Sequence, residues 1–213
     1  NQMDALHTTA ATWGLTLTDA QLAQFARYSV ELQRWNERVN LTAITDERAI
    51  IVRHFLDSLS IARSWGQEHL RLTLVESVAK KAEFLRQLSA TLGLTDVTII
   101  VARAEQIGRD PAHREQYAIV TARAVADLAV LAEYCLPLCR VGGRMLAPKG
   151  TDCADEITQA RAAIDRLGGS IAGAETIHLP DTEPRTLVII DKLAATPAAY
   201  PRAVGLPAKR PLR

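Results

Sequence analysis

The chain has 213 residues, of which 48% are hydrophobic and 23% charged, and its formal net charge is +1. These values are ordinary for a globular protein and exclude binding of polyanions through bulk charge, while a local basic patch stays open. No apolar run is long enough for a membrane span and no signal peptide is visible, so we expect a cytoplasmic protein without a membrane partner.

The first part of the chain is predicted to be helical. Thr18 and Gln21 form a capping box, and apolar residues follow at steps of three and four as far as Val39. Asp46 can cap a second helix that runs to about Ser64. We therefore predict two or three helices within residues 1–66, as an extension packed on the core.

Strands and helices alternate after Arg71. The predicted strands are 72–76, 97–101, 117–122, 144–147, 170–179 and 186–190, and the predicted helices are 78–92, 128–138 and 155–167. This alternation predicts an α/β core with a parallel sheet over residues 67–192, and the last two strands predict a closing antiparallel hairpin. That ending resembles the class I methyltransferase fold and disfavours an NAD-dependent Rossmann enzyme.

Residues 193–213 form the third predicted part, a basic tail. From Tyr200 onward it has no acidic residue, and its prolines predict an extended chain instead of a helix. Its basic residues are Arg202, Lys209, Arg210 and Arg213. Such a tail suits contact with nucleic acid phosphates. The alternative is a solvated terminus that packs only through Tyr200 and Leu206.

Two places carry signs of a nucleotide site. Glu76 ends the first predicted strand, where nucleotide-binding α/β folds hold ribose hydroxyls with a carboxylate. The alternative is an acid favoured at a helix start by the helix dipole. The loop Arg103-Ala104-Glu105 follows the next strand, where the base of a nucleoside lies in such sheets.

Two cations follow the next strands at their carboxyl ends, where open α/β sheets bind ligands. Arg123 comes after the strand that begins at Tyr117, and Lys149 comes after the following strand. For Arg123, a salt bridge to Glu105 or Asp127 is an equally open interpretation.

His54 and Asp57 share one face of the second predicted helix, so Asp57 can orient His54. A buried polar network is the alternative. No serine, cysteine or threonine has the strand-turn-helix context of a nucleophile elbow. The three cysteines and five scattered histidines predict reduced buried thiols and no metal site.

Several motifs match, in order, those of one bacterial family. They are Trp35-Asn36-x-x-x-Asn40-Leu41-Thr42, Arg53-His54-x-x-Asp57-Ser58, Leu74-Val75-Glu76-Ser77, Lys80-Lys81-x-x-Phe84-Leu85, Arg103-Ala104-Glu105, Ala122-Arg123-Ala124, Lys149-Gly150, Tyr200-Pro201-Arg202 and Gly205-x-Pro207-x-Lys209-x-Pro211-Leu212. From about residue 5 to its end the chain resembles the RsmG (GidB) family, which methylates N7 of a guanine in small-subunit ribosomal RNA.

The resemblance implies a class I methyltransferase fold, S-adenosylmethionine as donor, S-adenosylhomocysteine as product and no metal. It implies 16S ribosomal RNA or the 30S subunit as partner, and we expect a monomer. A small-molecule methyltransferase or a nucleotide-binding regulatory protein of the same fold is the alternative, although a small-molecule enzyme does not need a basic tail.

The residues and the resemblance together distribute the candidates among roles, and the resemblance implies that Arg123 lies near the donor or the target guanine. The cofactor-binding set is Glu76, Ser77, Ala104, Glu105 and Arg123, with Ala104 and Glu105 at the adenine. The catalytic candidates are Arg123, Lys149 and His54, and the RNA-binding candidates are Arg53, Arg202, Lys209 and Arg210.

One part of the family pattern is absent. The family's glycine-rich motif should fall between Leu70 and Arg71, together with a strand, in a stretch of roughly twenty residues. Either the protein lacks this segment, or the segment was not ordered and is left out of the printed sequence. We favour the second explanation, because loss of the first strand would remove the centre of the sheet.

Overall fold

The computed structural model describes residues 2–65, 70–123 and 126–213, and the chain forms two compact units. Unit 1 comprises Asn1–Ala102 and Leu179–Asp181, and unit 2 comprises Arg103–His178 and Thr182–Arg213. This division falls inside the predicted methyltransferase core, so the predicted three-part division at 66/67 and 192/193 stays a prediction.

Unit 1 begins with two helices, α1 (Gln2–Thr12) and α2 (Asp19–Val39). The capping box at the start of α2 is confirmed. The Thr18 hydroxyl accepts the Gln21 N–H at 3.2 Å, and the Gln21 side chain accepts the Thr18 N–H at 2.9 Å. The helix ends at Asn40, whose left-handed backbone (φ 40°) is one that asparagine tolerates well.

The predicted helix from Asp46 to Ser64 is helical but is not a single α-helix. Asp46 accepts the Ala49 N–H at 2.8 Å and caps the first turn, as predicted. The segments that follow are α3 (Glu47–Ile50), a π-helix (Ile51–Leu56), α4 (Asp57–Leu59) and a 3-10 helix (Ser60–Ser64). A face defined by 3.6 residues per turn is therefore not kept through residues 54–61. The end of this predicted helix, at residues 66–69, lies outside the described residues.

Strands β1 (Leu72–Glu76) and β2 (Val97–Val101) form a parallel pair, linked by α5 (Ala79–Thr91). Glu76 lies opposite Val101, so both strands end at the same edge of this two-stranded sheet. The helix α2 packs on α5: the rings of Trp35 and Phe84 have their centroids 5.9 Å apart. The helical residues of the N-terminal part therefore share a core with the first two strands.

Unit 2 contains a four-stranded sheet in the order β3-β4-β6-β5. Its strands are β3 (Tyr117–Thr121), β4 (Cys139–Lys149), β5 (Gly169–Ile177) and β6 (Arg185–Lys192). The pair β3 and β4 is parallel, whereas β6 is antiparallel to both β4 and β5. The predicted closing hairpin is thereby confirmed.

The strand β4 is longer than the predicted 144–147 because it continues through Gly142 and Gly143. A Cβ atom at Gly143 would lie 2.6 Å from the carbonyl oxygen of Ala118 on the neighbouring strand. The glycine pair therefore lets two strands approach closely instead of ending one of them.

Helices α6 (Ala104–Ile107), α7 (Leu128–Cys135), α8 (Ala154–Arg166) and α9 (Leu206–Lys209) complete unit 2. The core lies among α7, α8 and the sheet, and its fully buried members include Leu128, Leu131, Leu136, Met145, Ile164, Leu167, Val188 and Ile190. All three cysteines are reduced and buried, as predicted. In the described part of the chain, no helix is long and apolar enough to span a membrane.

The C-terminal segment, residues 193–213, differs from the prediction of an extended chain because it contains α9. Pro207 lies in the first turn of this helix, where a residue without an N–H loses no hydrogen bond. Pro201 and Leu212 are buried, and Leu212 belongs to the core of unit 2. The alternative of a solvated terminus that packs only through Tyr200 and Leu206 is therefore wrong.

Candidate active site

Glu76 ends β1 in unit 1, and its half-buried side chain turns toward the start of α5. Its Oε1 accepts the Val78 N–H at 2.8 Å, and its backbone carbonyl accepts the Ala102 N–H at 3.1 Å. This is the helix-start role that the sequence left open as an alternative. Among the described residues Oε2 receives no hydrogen bond, so the geometry leaves one carboxylate oxygen for a ligand hydroxyl. Ser77 is exposed beside it.

In unit 2, the segment Arg103-Ala104-Glu105 forms the first turn of α6. The side chain of Glu105 is buried, with 1% of the residue exposed, and its Oε1 accepts the Gly205 N–H at 3.0 Å. The Nε of Arg103 lies 3.8 Å from its Oε2. Both carboxylate oxygens of Glu105 thus have protein partners, while Ala104 is half-buried.

Arg123 and Lys149 lie at the carboxyl ends of β3 and β4, as predicted. The strands are parallel and pair Thr121 with Leu146, so both ends lie at one edge of the unit 2 sheet. Arg123 is half-buried two residues beyond β3. Its predicted motif partner Ala124 lies outside the described residues.

Lys149 is held by an internal ion pair. Its Nζ lies 2.6 Å from Oε1 of Glu156 and donates to the carbonyl of Ala126 at 3.1 Å. The same Glu156 oxygen accepts the Leu128 N–H at 2.6 Å, at the start of α7. With 14% of its side chain exposed, Lys149 anchors the beginning of α7 and leaves little of its ammonium group to a ligand.

His54, in unit 1, belongs to a polar network around the turn after α2. Its Nε2 lies 2.9 Å from the Thr42 hydroxyl, which also accepts the Ile44 N–H at 3.0 Å. The Asn36 side chain accepts the Leu41 and Thr42 N–H groups at 2.6 Å and 2.9 Å, and donates to the Thr42 carbonyl at 2.9 Å. The polar-network alternative for His54 is supported by these contacts.

Neither Asn36 nor Thr42 had been given a role beyond its place in a motif. The spacing of six residues between them was the available signal, since an asparagine near a helix end often bonds the backbone that follows. A cavity of about 360 Å³ adjoins this turn and includes both residues in its wall. Arg53, one of the RNA-binding candidates, is exposed on the neighbouring helical segment.

The cations of the basic tail are the half-buried Arg202 and the exposed Lys209, Arg210 and Arg213. The Nη2 of Arg202 donates to Oε2 of Glu133 at 2.7 Å, its Nε donates to Oε1 at 2.9 Å, and Glu133 is completely buried. The charge of Glu133 through this hydrogen bond raises the pKa of Arg202. Lys209 and Arg210 are exposed. The structure therefore gives Arg202 a partner within the protein, and its predicted RNA contact stays a prediction.

Tyr134, on α7, is buried next in sequence to Glu133. Burial is the main cause that raises the pKa of its hydroxyl, and the negative charge of Glu105 adds to the effect. Within the described ranges, no three histidine, cysteine or acidic side chains are grouped as a metal site.

Comparison with known proteins places the chain in a single family. The model of the GidB family, described as rRNA small subunit methyltransferase G, matches residues 21–69 and 64–177. A Roseiflexus sp. (strain RS-1) protein named "Ribosomal RNA small subunit methyltransferase G" is 58% identical over 233 residues, covering 99% of this chain and 100% of that protein.

Two further relatives carry the same name. The protein of Chloroflexus aggregans is 50% identical, over 96% of this chain and 95% of its own length. The protein of Geobacillus sp. (strain WCH70) is 41% identical, over 97% of this chain and 98% of its own length.

Proposed function

We propose, since the chain belongs to the GidB family of small-subunit ribosomal RNA methyltransferases, that it transfers a methyl group from S-adenosylmethionine to N7 of a guanine in 16S ribosomal RNA. The observation that carries the proposal is the identity of 58% over 99% of the chain. The α/β architecture, with a helical N-terminal part and a closing antiparallel hairpin, supports it.

The chemistry makes few demands on general bases. S-adenosylmethionine, when bound, supplies an electrophilic methyl group on a sulfonium sulfur. Guanine N7 carries a free lone pair, so its attack requires no proton to be removed. The protein then contributes orientation and electrostatics. We propose that Arg123 orients the base through its O6 and N7 acceptor edge. Lys149 was the second candidate for this edge. Because its Nζ is already 2.6 Å from Glu156, we propose that it supports the site indirectly by anchoring the start of α7.

The proposed donor contacts fit the geometry of each unit. In unit 1, the oxygen of Glu76 that has no donor among the described residues suits a ribose hydroxyl, with Ser77 next to it. In unit 2, the half-buried backbone at Ala104 suits the adenine, since the carboxylate of Glu105 is already occupied. We propose His54 as a polar support of the turn at Thr42, although it was a catalytic candidate.

We also propose that the protein contains a segment that the printed sequence lacks. The alignment with the Roseiflexus protein runs over 233 positions, 20 more than the 213 residues of the chain. The family model matches in two stretches that meet at residues 64–69. In the described residues of unit 1, β1 pairs with β2 alone, and Leu72 and Val75 of β1 are 48% and 37% exposed. A further parallel strand in the missing segment would give the other edge of β1 a partner.

The mass of the intact protein tests this segment. A mass near 23.3 kDa would contradict it. At the mean residue mass of the chain, twenty additional residues would add roughly 2 kDa.

For the RNA partner we propose contacts from Arg53, Lys209 and Arg210, which are exposed. Arg202 is proposed to contribute to RNA binding by maintaining the shape of the tail. The substrate is proposed to be 16S ribosomal RNA or the 30S subunit in the cytoplasm, bound by a monomer. Phosphate contacts of this kind position a substrate without reading its sequence.

Methyl transfer from labelled donor to 16S ribosomal RNA and to 30S subunits tests the function, with free guanosine as control. Incorporation into RNA and not into guanosine supports the proposal. Incorporation into guanosine at a comparable rate would indicate the small-molecule alternative. Arg123→Ala is expected to lower the rate by about a hundredfold, as for loss of one electrostatic contact in a transition state.

The pH dependence of the same assay tests the role of His54. Because N7 needs no base, the rate at saturating substrates is expected to change less than about twofold between pH 6 and 8, the range in which histidine ordinarily titrates. A steep loss on acidification that disappears in His54→Gln would contradict this mechanism.

A further inference from the structure

Two fully buried acids of unit 2 are used to hold the C-terminal segment. Glu133, on α7, accepts the backbone N–H of Arg202 at 2.8 Å as well as its guanidinium. Glu105, on α6, accepts the backbone N–H of Gly205 at 3.0 Å. Burial of a carboxylate is costly unless donors surround it, so both acids depend on the segment being docked.

The segment is also tied down by two arginines that precede β3. The guanidinium of Arg114 donates to the carbonyls of Tyr200 at 2.7 Å and Thr196 at 2.8 Å. The Nε of Arg109 donates to the Pro201 carbonyl at 2.6 Å. The path of residues 196–205 is therefore fixed by side chains from the body of unit 2.

Glu105 connects this segment to the turn that we propose to hold the adenine. Its Oε1 bonds Gly205, and its Oε2 lies 3.8 Å from Nε of Arg103, the first residue of that turn. The helix α6 is only four residues long, Ala104–Ile107. So short a helix has little internal stability, and its position depends on such side-chain anchors.

We propose that the C-terminal segment positions the Arg103–Glu105 turn for donor binding. In this arrangement Glu105 is a positioning residue, and the N–H of Gly205 holds its carboxylate in place. This inference rests on the proposed function and deepens it. The tail then serves the donor site as well as the RNA. Without the Gly205 N–H, the Glu105 carboxylate would have to move toward solvent, and it would carry Ala104 with it.

Gly205 offers a sharp test because its backbone has a left-handed conformation, with φ +82°, and a Cβ there would meet no atom within 4 Å. Asparagine tolerates this conformation, whereas a β-branched residue strongly disfavours it. Gly205→Val is therefore expected to displace the N–H from Glu105, and Gly205→Asn is the matched control that adds a side chain but keeps the backbone.

Binding of S-adenosylmethionine to the full-length protein is measured by calorimetry without RNA. We expect Gly205→Val to weaken binding of S-adenosylmethionine by about tenfold, which is the effect of losing one charge-assisted hydrogen bond. The affinity of Gly205→Asn for the donor should stay within about twofold of that of the parent protein. In steady state, the valine variant should raise the KM for the donor and leave kcat at saturating donor nearly unchanged. Equal donor affinities for both variants and the parent would overturn the proposal.

A second control separates positioning from general loss of stability. Arg144→Met removes an ion pair to Asp191 elsewhere in unit 2, and it is expected to lower the melting temperature by no more than about 4 °C without changing donor affinity. Weaker binding of S-adenosylmethionine by this variant would overturn the positioning role of Glu105. Failure of the parent protein to bind S-adenosylmethionine would instead defeat the proposed function, so the two failures are distinguishable.

Hydrogen exchange gives the reciprocal measurement, since coupling between two sites acts equally in both directions. Donor binding is expected to slow exchange of the amides at 205–210 severalfold in the parent and the asparagine variant, and not in the valine variant. Unchanged exchange in the parent protein would overturn the proposal.

Discussion

The pair of Glu133 and Arg202 gives the most demanding prediction about stability. Glu133 is completely buried, and its carboxylate accepts the guanidinium Nε and Nη2 of Arg202 as well as a backbone N–H. Arg202→Met removes the positive charge and both guanidinium donors while keeping an unbranched side chain. The carboxylate is then left in the interior with the backbone N–H as its remaining donor.

The expected cost follows from this geometry. Removing one partner of a buried ion pair costs about 3–5 kcal/mol, and the lower end applies because 21% of the Arg202 side chain is exposed. For a chain of this length, about 3 kcal/mol lowers the melting temperature by roughly 6–12 °C. Glu133→Gln combined with Arg202→Met removes both charges together, and we expect it to cost less than Arg202→Met alone.

Chemical denaturation, with scanning calorimetry as a second measurement, checks both values. Arg144→Met is the control: its ion pair with Asp191 is 36% and 37% exposed, so its loss should cost less than about 1 kcal/mol. The reasoning would be refuted if Arg202→Met cost no more than this control, or if the double variant were less stable than the single one.

Three further predictions concern buried groups and exposed charges. Burial lowers the pKa of Lys192, so this side chain binds its proton more readily in the unfolded protein than in the folded one. The free energy of unfolding of the parent minus that of Lys192→Met should therefore rise as pH increases toward about 10.4, and a falling difference would contradict this. Burial raises the pKa of Cys135 to about 12 and that of Cys139 to about 11, so both thiols should resist alkylation at pH 8 until the protein is unfolded, which mass spectrometry of labelled peptides would reveal. The double variant Lys209→Ala with Arg210→Ala should weaken binding of RNA regardless of its sequence and reduce the slope of log K against log salt by about 2. An unchanged slope would show that neither residue contacts RNA phosphates.

Local signals in the sequence predicted most of the elements. The capping box at Thr18 and the end of the apolar spacing at Val39 predicted the bounds of α2, and alternation of strands and helices after Arg71 predicted the six strands found among the described residues. These signals act over a few residues, so they survive without knowledge of the tertiary structure. The π-helix at Ile51–Leu56 was not predictable, because apolar spacing of three and four residues is compatible with an ordinary α-helix.

The places of the candidate residues on their strands were predictable, but their contacts were not. Glu76 ends β1 in unit 1, and Arg123 and Lys149 lie at the carboxyl ends of β3 and β4 in unit 2, as the sequence predicted. Their partners do not follow from the sequence, because Glu133 and Arg202 are separated by 69 positions, and Glu105 and Gly205 by 100. The ion pair of Arg202 could not be expected from the sequence of the tail, because Glu133 lies on the distant helix α7.

Some polar residues of the family motifs form hydrogen bonds with backbone groups elsewhere in the chain, which the residue type alone does not predict. Asn36 bonds the backbone of Leu41 and Thr42, and Glu105 bonds the backbone of Gly205. A side chain that satisfies a distant backbone group fixes the shape of a loop, and its loss leaves a polar group unpaired. A motif can therefore mark Glu105 as important for donor binding while the carboxylate itself is engaged with the tail. Direct contact of Glu105 with the donor and positioning of its turn by the tail predict different donor affinities only when the tail is altered and Glu105 is kept, as in Gly205→Val.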